Sequence, residues 1–157
     1  MKKLILALGL IAVILLLGCT ESAKKGPQGG YDIHLDAKHY VKESRILVHH
    51  WCKPMSDDLI QCLLFDSDEP NSNLVGVEMI VANTVWERFP AEQQAMWHDH
   101  ATEIIEAEAT LPDLTPEEAT KLFEKLKQTH GRVVYFWNFP VDKWPTTTAF
   151  TDMDKGQ

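Results

Sequence analysis

The sequence predicts a single α+β domain, a mainly antiparallel sheet with a few short helices packed on it. Three observations point there. Apolar runs of strand length (RILVHHWC, LIQCLLF, LVGVEMIV and VVYFW) are separated by segments rich in Pro, Ser, Asp and Asn. The stretch Thr115-Pro116-Glu117-Glu118 carries a helix start: N-cap, Pro at the first helical position and Glu at the third. Strands precede and follow the helices without regular alternation, which favours an α+β layout over a doubly wound one.

In chain order, residues 45–52 read as a strand ending at Cys52, and KPMSDD (53–58) as a turn. LIQCLLF (59–65) is the second strand of a hairpin, DSDEPNSN (66–73) a loop, and LVGVEMIV (74–81) a third strand, apolar enough for a sheet interior. Thr84 with Glu87 predicts a capping box for a short helix, and Pro90 suits the first turn of another that ends near Met96. WHDHATEIIEAEATL (97–111) fits strand and helix alike. After Thr115, the residues Ala119, Leu122, Phe123 and Leu126 keep helical spacing, and Gly131 supplies the stop. VVYFW (133–137) is a last strand. The segment after Asn138, rich in Pro, Thr and Asp, is expected to wrap the surface.

The N-terminus predicts the address. Lys2 and Lys3 precede an apolar stretch from Leu4 to Leu17, shorter than the roughly 20 residues a spanning helix needs. Gly18 and Cys19 follow. This is secretory signal architecture, and Leu16-Leu17-Gly18-Cys19 resembles the lipobox of bacterial lipoproteins, with Leu17 where a smaller residue is commoner. The resemblance implies a signal peptide at 1–18, a lipidated Cys19 as first mature residue, a Gly/Pro-rich tether at 19–30 and the domain at 31–157. An uncleaved anchor helix is the competing reading. The implied location is the cell envelope. Thr20, rather than an Asp, leans toward the periplasmic face of the outer membrane over the inner membrane. The membrane is thus the expected partner, through the lipid on Cys19; no protein partner can be read from the sequence.

Without residues 1–18 the chain keeps 139 of its 157 residues, enough for one real core. Five Trp, six Phe and 45% hydrophobic residues argue against disorder. The formal charge of −8 becomes −10 once Lys2 and Lys3 are lost, which excludes nucleic acid as a natural partner, since phosphate binding rests on Lys and Arg.

Seven histidines are many for so acidic a domain. His98 and His100 share a face if WHDH is extended and point about 200° apart if it is helical. His49 and His50 are neighbours, so on a strand only one of them can join a given site. These four are the candidate metal ligands. Glu78, in the middle of an apolar strand, is the candidate catalytic base or further ligand, with a solvent-facing Glu as the plainer alternative. Imidazole and carboxylate donors together suit zinc or another late transition metal. Asp66 and Asp68 open an acidic loop that lacks the Gly and distal Glu of a calcium loop. No phosphate loop, nucleophile elbow or HExxH helix occurs. Cys52 and Cys62 face opposite sides if the turn pairs Cys52 with Leu59; a one-residue slip brings them to one face and makes a bridge thinkable.

HHWC (49–52), QCLLFDSD (61–68), NLVGVEMIV (73–81), WHDH (97–100) and HGRVVYFW (130–137) together resemble the oil-body-associated protein family, over about residues 31–140. That family has plant, fungal and bacterial members and no reaction to carry over. His34, in YDIHLD, aligns more loosely with a family histidine. Two departures stand out: plant members lack a signal peptide, and the family's WHxH motif runs into a Gly-containing strand, whereas ATEIIEAEATLPDL has no Gly. Because cytosolic members keep the same Cys words reduced, the resemblance implies packing or metal binding for the cysteines rather than a disulfide. Two functions follow as expectations: a lipid-surface binding or structural module, or a metal-dependent, zinc-type hydrolase with a His-rich site.

Overall fold

The computed structural model describes residues 29–41, 44–137, 139, 140 and 142. The signal peptide, Cys19, nearly all of the tether and most of the expected C-terminal wrap lie outside the described residues. Among the described residues, six strands form one antiparallel sheet: β1 (Ile33–Val41), β2 (Ser44–Ser56), β3 (Leu59–Phe65), β4 (Leu74–Ala82), β5 (His98–Asp99) and β6 (Thr129–Tyr135). Their order is β1-β2-β3-β4-β6-β5. Short helices α1 (Asn83–Trp86) and α2 (Ala91–Gln94) follow β4, and α3 (His100–Glu106) and α4 (Pro116–Leu126) lie between β5 and β6. The α+β class and the antiparallel sheet are as the sequence predicts.

Side chains alternate across a strand, so register decides what meets. Leu35, His50, Leu64, Gly76 and Tyr135 form one row across β1, β2, β3, β4 and β6; Cys52, Cys62, Glu78 and Val133 form the row beside it. Val48, Cys52, Cys62, Leu64, Ile80, Val133 and Tyr135 are buried here, and Leu122, Phe123 and Leu126 of α4 with Ile104 of α3 pack onto them. These helices therefore cover the face that carries His50 and Glu78. The outer edge of β1 is also covered: Asp36 exchanges two backbone hydrogen bonds with Thr110 (2.9 and 2.8 Å), which satisfies an edge that would otherwise offer itself to another chain.

Several local expectations are corrected. β1 is a full strand that the sequence reading missed. β2 runs through Pro54 to Ser56, where the ladder shifts register, so the turn is the pair Asp57-Asp58 rather than 53–58. That shift sets Cys52 opposite Cys62, and the two are joined by a disulfide, against the register and the reduced state expected for them. The Thr84–Glu87 capping box does not form: α1 starts directly after β4 at Asn83, with Ala82 at the N-cap and no side-chain cap, which leaves Thr84 inside the helix. Thr115 and Glu118 do form their reciprocal capping box. The helix they open stops at Lys127, and Gly131 belongs to β6, which spans Thr129–Tyr135 instead of 133–137.

Candidate metal centre

Glu78 projects from β4 into the covered face. His98 reaches the same point from β5, hydrogen-bonded to β6, and His100 from the first turn of α3. Residues 97–111 thus resolve into both alternatives: a two-residue strand that turns at once into a helix, capped by the Asp99 side chain on Ala101 N. The junction keeps the two histidines together, as an extended strand would and a continuous helix would not.

The three donor atoms form a nearly equilateral triangle. His98 Nε2 is 3.1 Å from His100 Nε2, and Glu78 Oε1 is 3.2 Å from each. Donors bound to zinc at about 2.0–2.1 Å in a tetrahedron stand roughly 3.3 Å apart. Proton positions strengthen the case. Thr129 Oγ1 donates to Leu126 O (2.6 Å) and so accepts from His100 Nδ1–H (2.8 Å). That bond turns Nε2 toward the triangle, 3.2 Å from Glu78 Oε1, the arrangement in which an outer hydrogen bond fixes a metal-ligating histidine. One proton can serve only one edge of a triangle; a central cation serves all three.

The electrostatics agree. Burial is the largest influence on Glu78 and pushes its pKa up, but hydrogen bonding with His100 and His98 and the electrostatic influence of His100 and His50 outweigh it and hold the carboxyl well below its usual range. Glu78 is therefore an anion at 5% exposure, which needs compensation inside the fold. His50 does not supply a positive charge. Burial, and next the neighbouring His39, lower its pKa to about 4, against smaller opposing effects of Glu78 and the carbonyls of Leu35 and Val48. Its Nδ1–H donates to those carbonyls (3.1 and 3.2 Å), and its Nε2 faces Glu78 Oε2 at 3.7 Å.

Gly131 shows the space a cation would take. It pairs with Ile80 on one side and His98 on the other. A Cβ at this position would stand 2.5 Å from His100 Nε2 and closer still to His98 Nε2 and Glu78 Oε1. Beside the donors lies a cavity of about 40 Å³, lined mostly by apolar side chains such as Leu35, Ile80, Ile104 and Leu126. A water needs about 10–15 Å³ on that measure, so the space suits two or three waters or a very small ligand. A polar hollow of about 240 Å³, with Lys38, Asp99, Thr102 and Glu106 in its wall, shares His98 and Glu103 with it.

Of the predicted residues, Glu78, His98 and His100 converge, with His50 against the far oxygen of Glu78. Glu78 stands as a donor equal to the histidines rather than as a free base. His49 does not join: it points to the opposite face, into a group with His34, Asp36 and Asp68. Glu103 was not foreseen. Its Oε2 is buried without a hydrogen-bond partner and lies 2.6 Å from His98 Nε2. One turn of α3 brings it there, a placement hidden in an acidic run that reads as a solvated face.

The chain matches, over residues 26–149, the family described as "Protein of unknown function (DUF1264)", and it belongs to that family. It is similar to oil body-associated protein 1B of Arabidopsis thaliana (29% identity over 107 residues, 66% of this chain and 44% of that one) and 1A of Zea mays (31% over 107 residues, 66% and 45%). Oil body-associated protein 2B of Zea mays is 36% identical over 95 residues, 59% of this chain and 36% of the relative. The chain therefore spans less than half the length of these relatives. No solved structure matches it.

Proposed function

We propose that this family member is an envelope lipoprotein whose domain holds a divalent late transition metal, of zinc type, on Glu78, His98 and His100. The observation that carries the metal is the triangle of donors around the space a Gly131 side chain would fill. The anchor rests on Lys2, Lys3 and the run ending in Leu16-Leu17-Gly18-Cys19; among the described residues no helix is long and apolar enough to cross a membrane. The relatives' names attach those plant proteins to oil bodies, and a lipid-surface role for this chain draws on that name and on the lipid at Cys19. The test is zinc content of full-length protein purified in detergent, beside a His98→Ala/His100→Ala variant. Loss of one equivalent in a folded variant supports the centre; unchanged content removes it. Labelling with radioactive palmitate, abolished by Cys19→Ala, tests the anchor.

A metal-dependent hydrolase is the second reading, favoured by one feature. Two histidines and a glutamate are a ligand set of catalytic zinc, which would supply a polarised water, and the buried, hydrogen-bond-free Glu103 Oε2, 2.6 Å from His98 Nε2, would be the group beside the site to hold a proton. On this reading Glu103, not Glu78, is the base. Glu103→Gln would keep its zinc and lose hydrolysis of ester substrates; a variant with undiminished turnover would end the assignment.

A further inference from the structure

The sheet face opposite Glu78 carries a second convergence of donors. Asp36 on β1 lies directly across from His49 on β2, and His34 is two residues along β1 on the same side. Asp68 comes over from the β3–β4 loop, which is pinned by Asp66 accepting from Asn73 N and Nδ2 (2.8 and 2.7 Å). The four side chains alternate around a ring. His34 Nε2 is 3.1 Å from Asp36 Oδ1, Asp36 Oδ1 is 2.7 Å from His49 Nδ1, His49 Nδ1 is 2.9 Å from Asp68 Oδ1, and Asp68 Oδ1 is 3.0 Å from His34 Nε2.

We propose that His34, Asp36, His49 and Asp68 form a second site for a divalent late transition metal, independent of the centre at Glu78. All four donor atoms lie within 4.8 Å of one another, close enough for one ion to reach each at about 2.0–2.2 Å, the bond length of a late transition metal to imidazole and carboxylate. An Asp–His ion-pair network explains the geometry less well. His49 Nδ1 is buried and makes no hydrogen bond, although two carboxylate oxygens lie within 2.9 Å. One cation among these three atoms would satisfy all of them at once. His34 is held in a matching orientation. Its Nδ1 lies 3.2 Å from Asp113 Oδ2 and donates to it, which turns Nε2 toward the ring, 3.1 Å from Asp36 Oδ1. Its imidazole also stacks on Trp51 (4.5 Å, 6° between planes). The Thr110 pairing along the edge of β1 brings Asp113 to that position. Two carboxylates among the four donors favour a cation at the centre. Calcium fits poorly, because it takes six to eight oxygen ligands.

The test is zinc stoichiometry and affinity of the full-length protein, in detergent and stripped with a chelator, by titration calorimetry. The wild type should take two equivalents, Asp36→Asn/Asp68→Asn one, and His98→Ala/His100→Ala the other one. Asp68→Asn alone, at a position 44% exposed and on a loop, guards against misfolding and should weaken one site about tenfold or more. A wild type with a single equivalent that survives Asp36→Asn/Asp68→Asn overturns the proposal. A single equivalent lost in that variant, but kept in His98→Ala/His100→Ala, upholds this site and refutes the one at Glu78.

Discussion

Replacing Gly131 by alanine puts one methyl group where Glu78, His98 and His100 converge, and nothing else in the chemistry changes. The new Cβ would stand 2.5 Å from His100 Nε2 and closer to the other two donors. No carbon tolerates such contacts, so the donors must splay. The fold should survive. Forcing an extra methyl into a packed site costs about 1–3 kcal/mol, and removing a glycine from a strand returns about 0.5–1 kcal/mol. The net cost of about 0–2.5 kcal/mol corresponds to a Tm lowered by at most roughly 10 °C at this size. The metal should not survive. Donors splayed past bonding distance lower affinity at least about 100-fold, or roughly 2.7 kcal/mol. Bound zinc at 100 times its Kd stabilises by that same amount. The assay is a thermal melt with and without zinc, run in an Asp36→Asn/Asp68→Asn background so that only the inner centre can respond. Zinc should raise the Tm of the background protein and leave its Gly131→Ala derivative unmoved. An equal zinc-induced rise in both would refute the placement of the ion.

Three further outcomes follow from the same geometry. Thr129→Val removes the oxygen that accepts from His100 Nδ1–H, frees the tautomer and should weaken zinc binding about 10–100-fold with little change in the melt of the stripped protein. Thr115→Ala deletes the side-chain half of the α4 capping box and should cost about 1 kcal/mol in urea unfolding, without effect on zinc. His130 stacks on Trp86 (3.9 Å) and meets Asn83 Oδ1 at 2.8 Å. Burial, first, and the nearby His100 and His98 lower its pKa, against the opposing charges of Asp99 and Glu87. A lowered histidine leaves the unfolded chain binding more protons below about pH 6.5, so this contribution to stability is present above that pH and is lost as pH falls through the folded-state pKa. His130→Asn should flatten the fall in unfolding free energy between pH 7 and 5; an unchanged slope would count against the assignment.

The strands that could be read were those whose neighbours were apolar. LIQCLLF and LVGVEMIV announced β3 and β4 because their apolar runs are nearly unbroken. β1 hid because Asp36, Lys38 and His34 occupy its outward positions, and Asp and Lys are depleted in strands. Its inward set, Ile33, Leu35 and Ala37, does keep the period of two, but three small signals do not outweigh three charged or polar ones. Gly131 misled for a related reason. Glycine after a helical run usually ends the helix, and here its missing Cβ answers a need set by Glu78, 53 positions earlier in the chain. No local rule sees that need. The junction at Asp99 is similar: a strand of two residues is too short for any periodicity to show, yet it is what keeps His98 beside His100.

His49 and His50 carry the lesson furthest. Adjacent on β2, they must part to opposite faces, and that much was legible; which of them joined Glu78 was not, because it depends on register. A slip of one residue between β2 and β3 would exchange them. It would carry His49 to the face of Glu78 and take His50 off it. The Cys52–Cys62 bridge closes off that slip, since it ties together two residues directly opposite each other, two positions from His50 on one strand and across from Glu78 on the next. The disulfide therefore does more than close a loop. By holding one register it assigns His50 to the buried carboxylate and His49 to the ring of His34, Asp36 and Asp68, and so keeps two sets of metal-type donors apart on the two faces of one sheet.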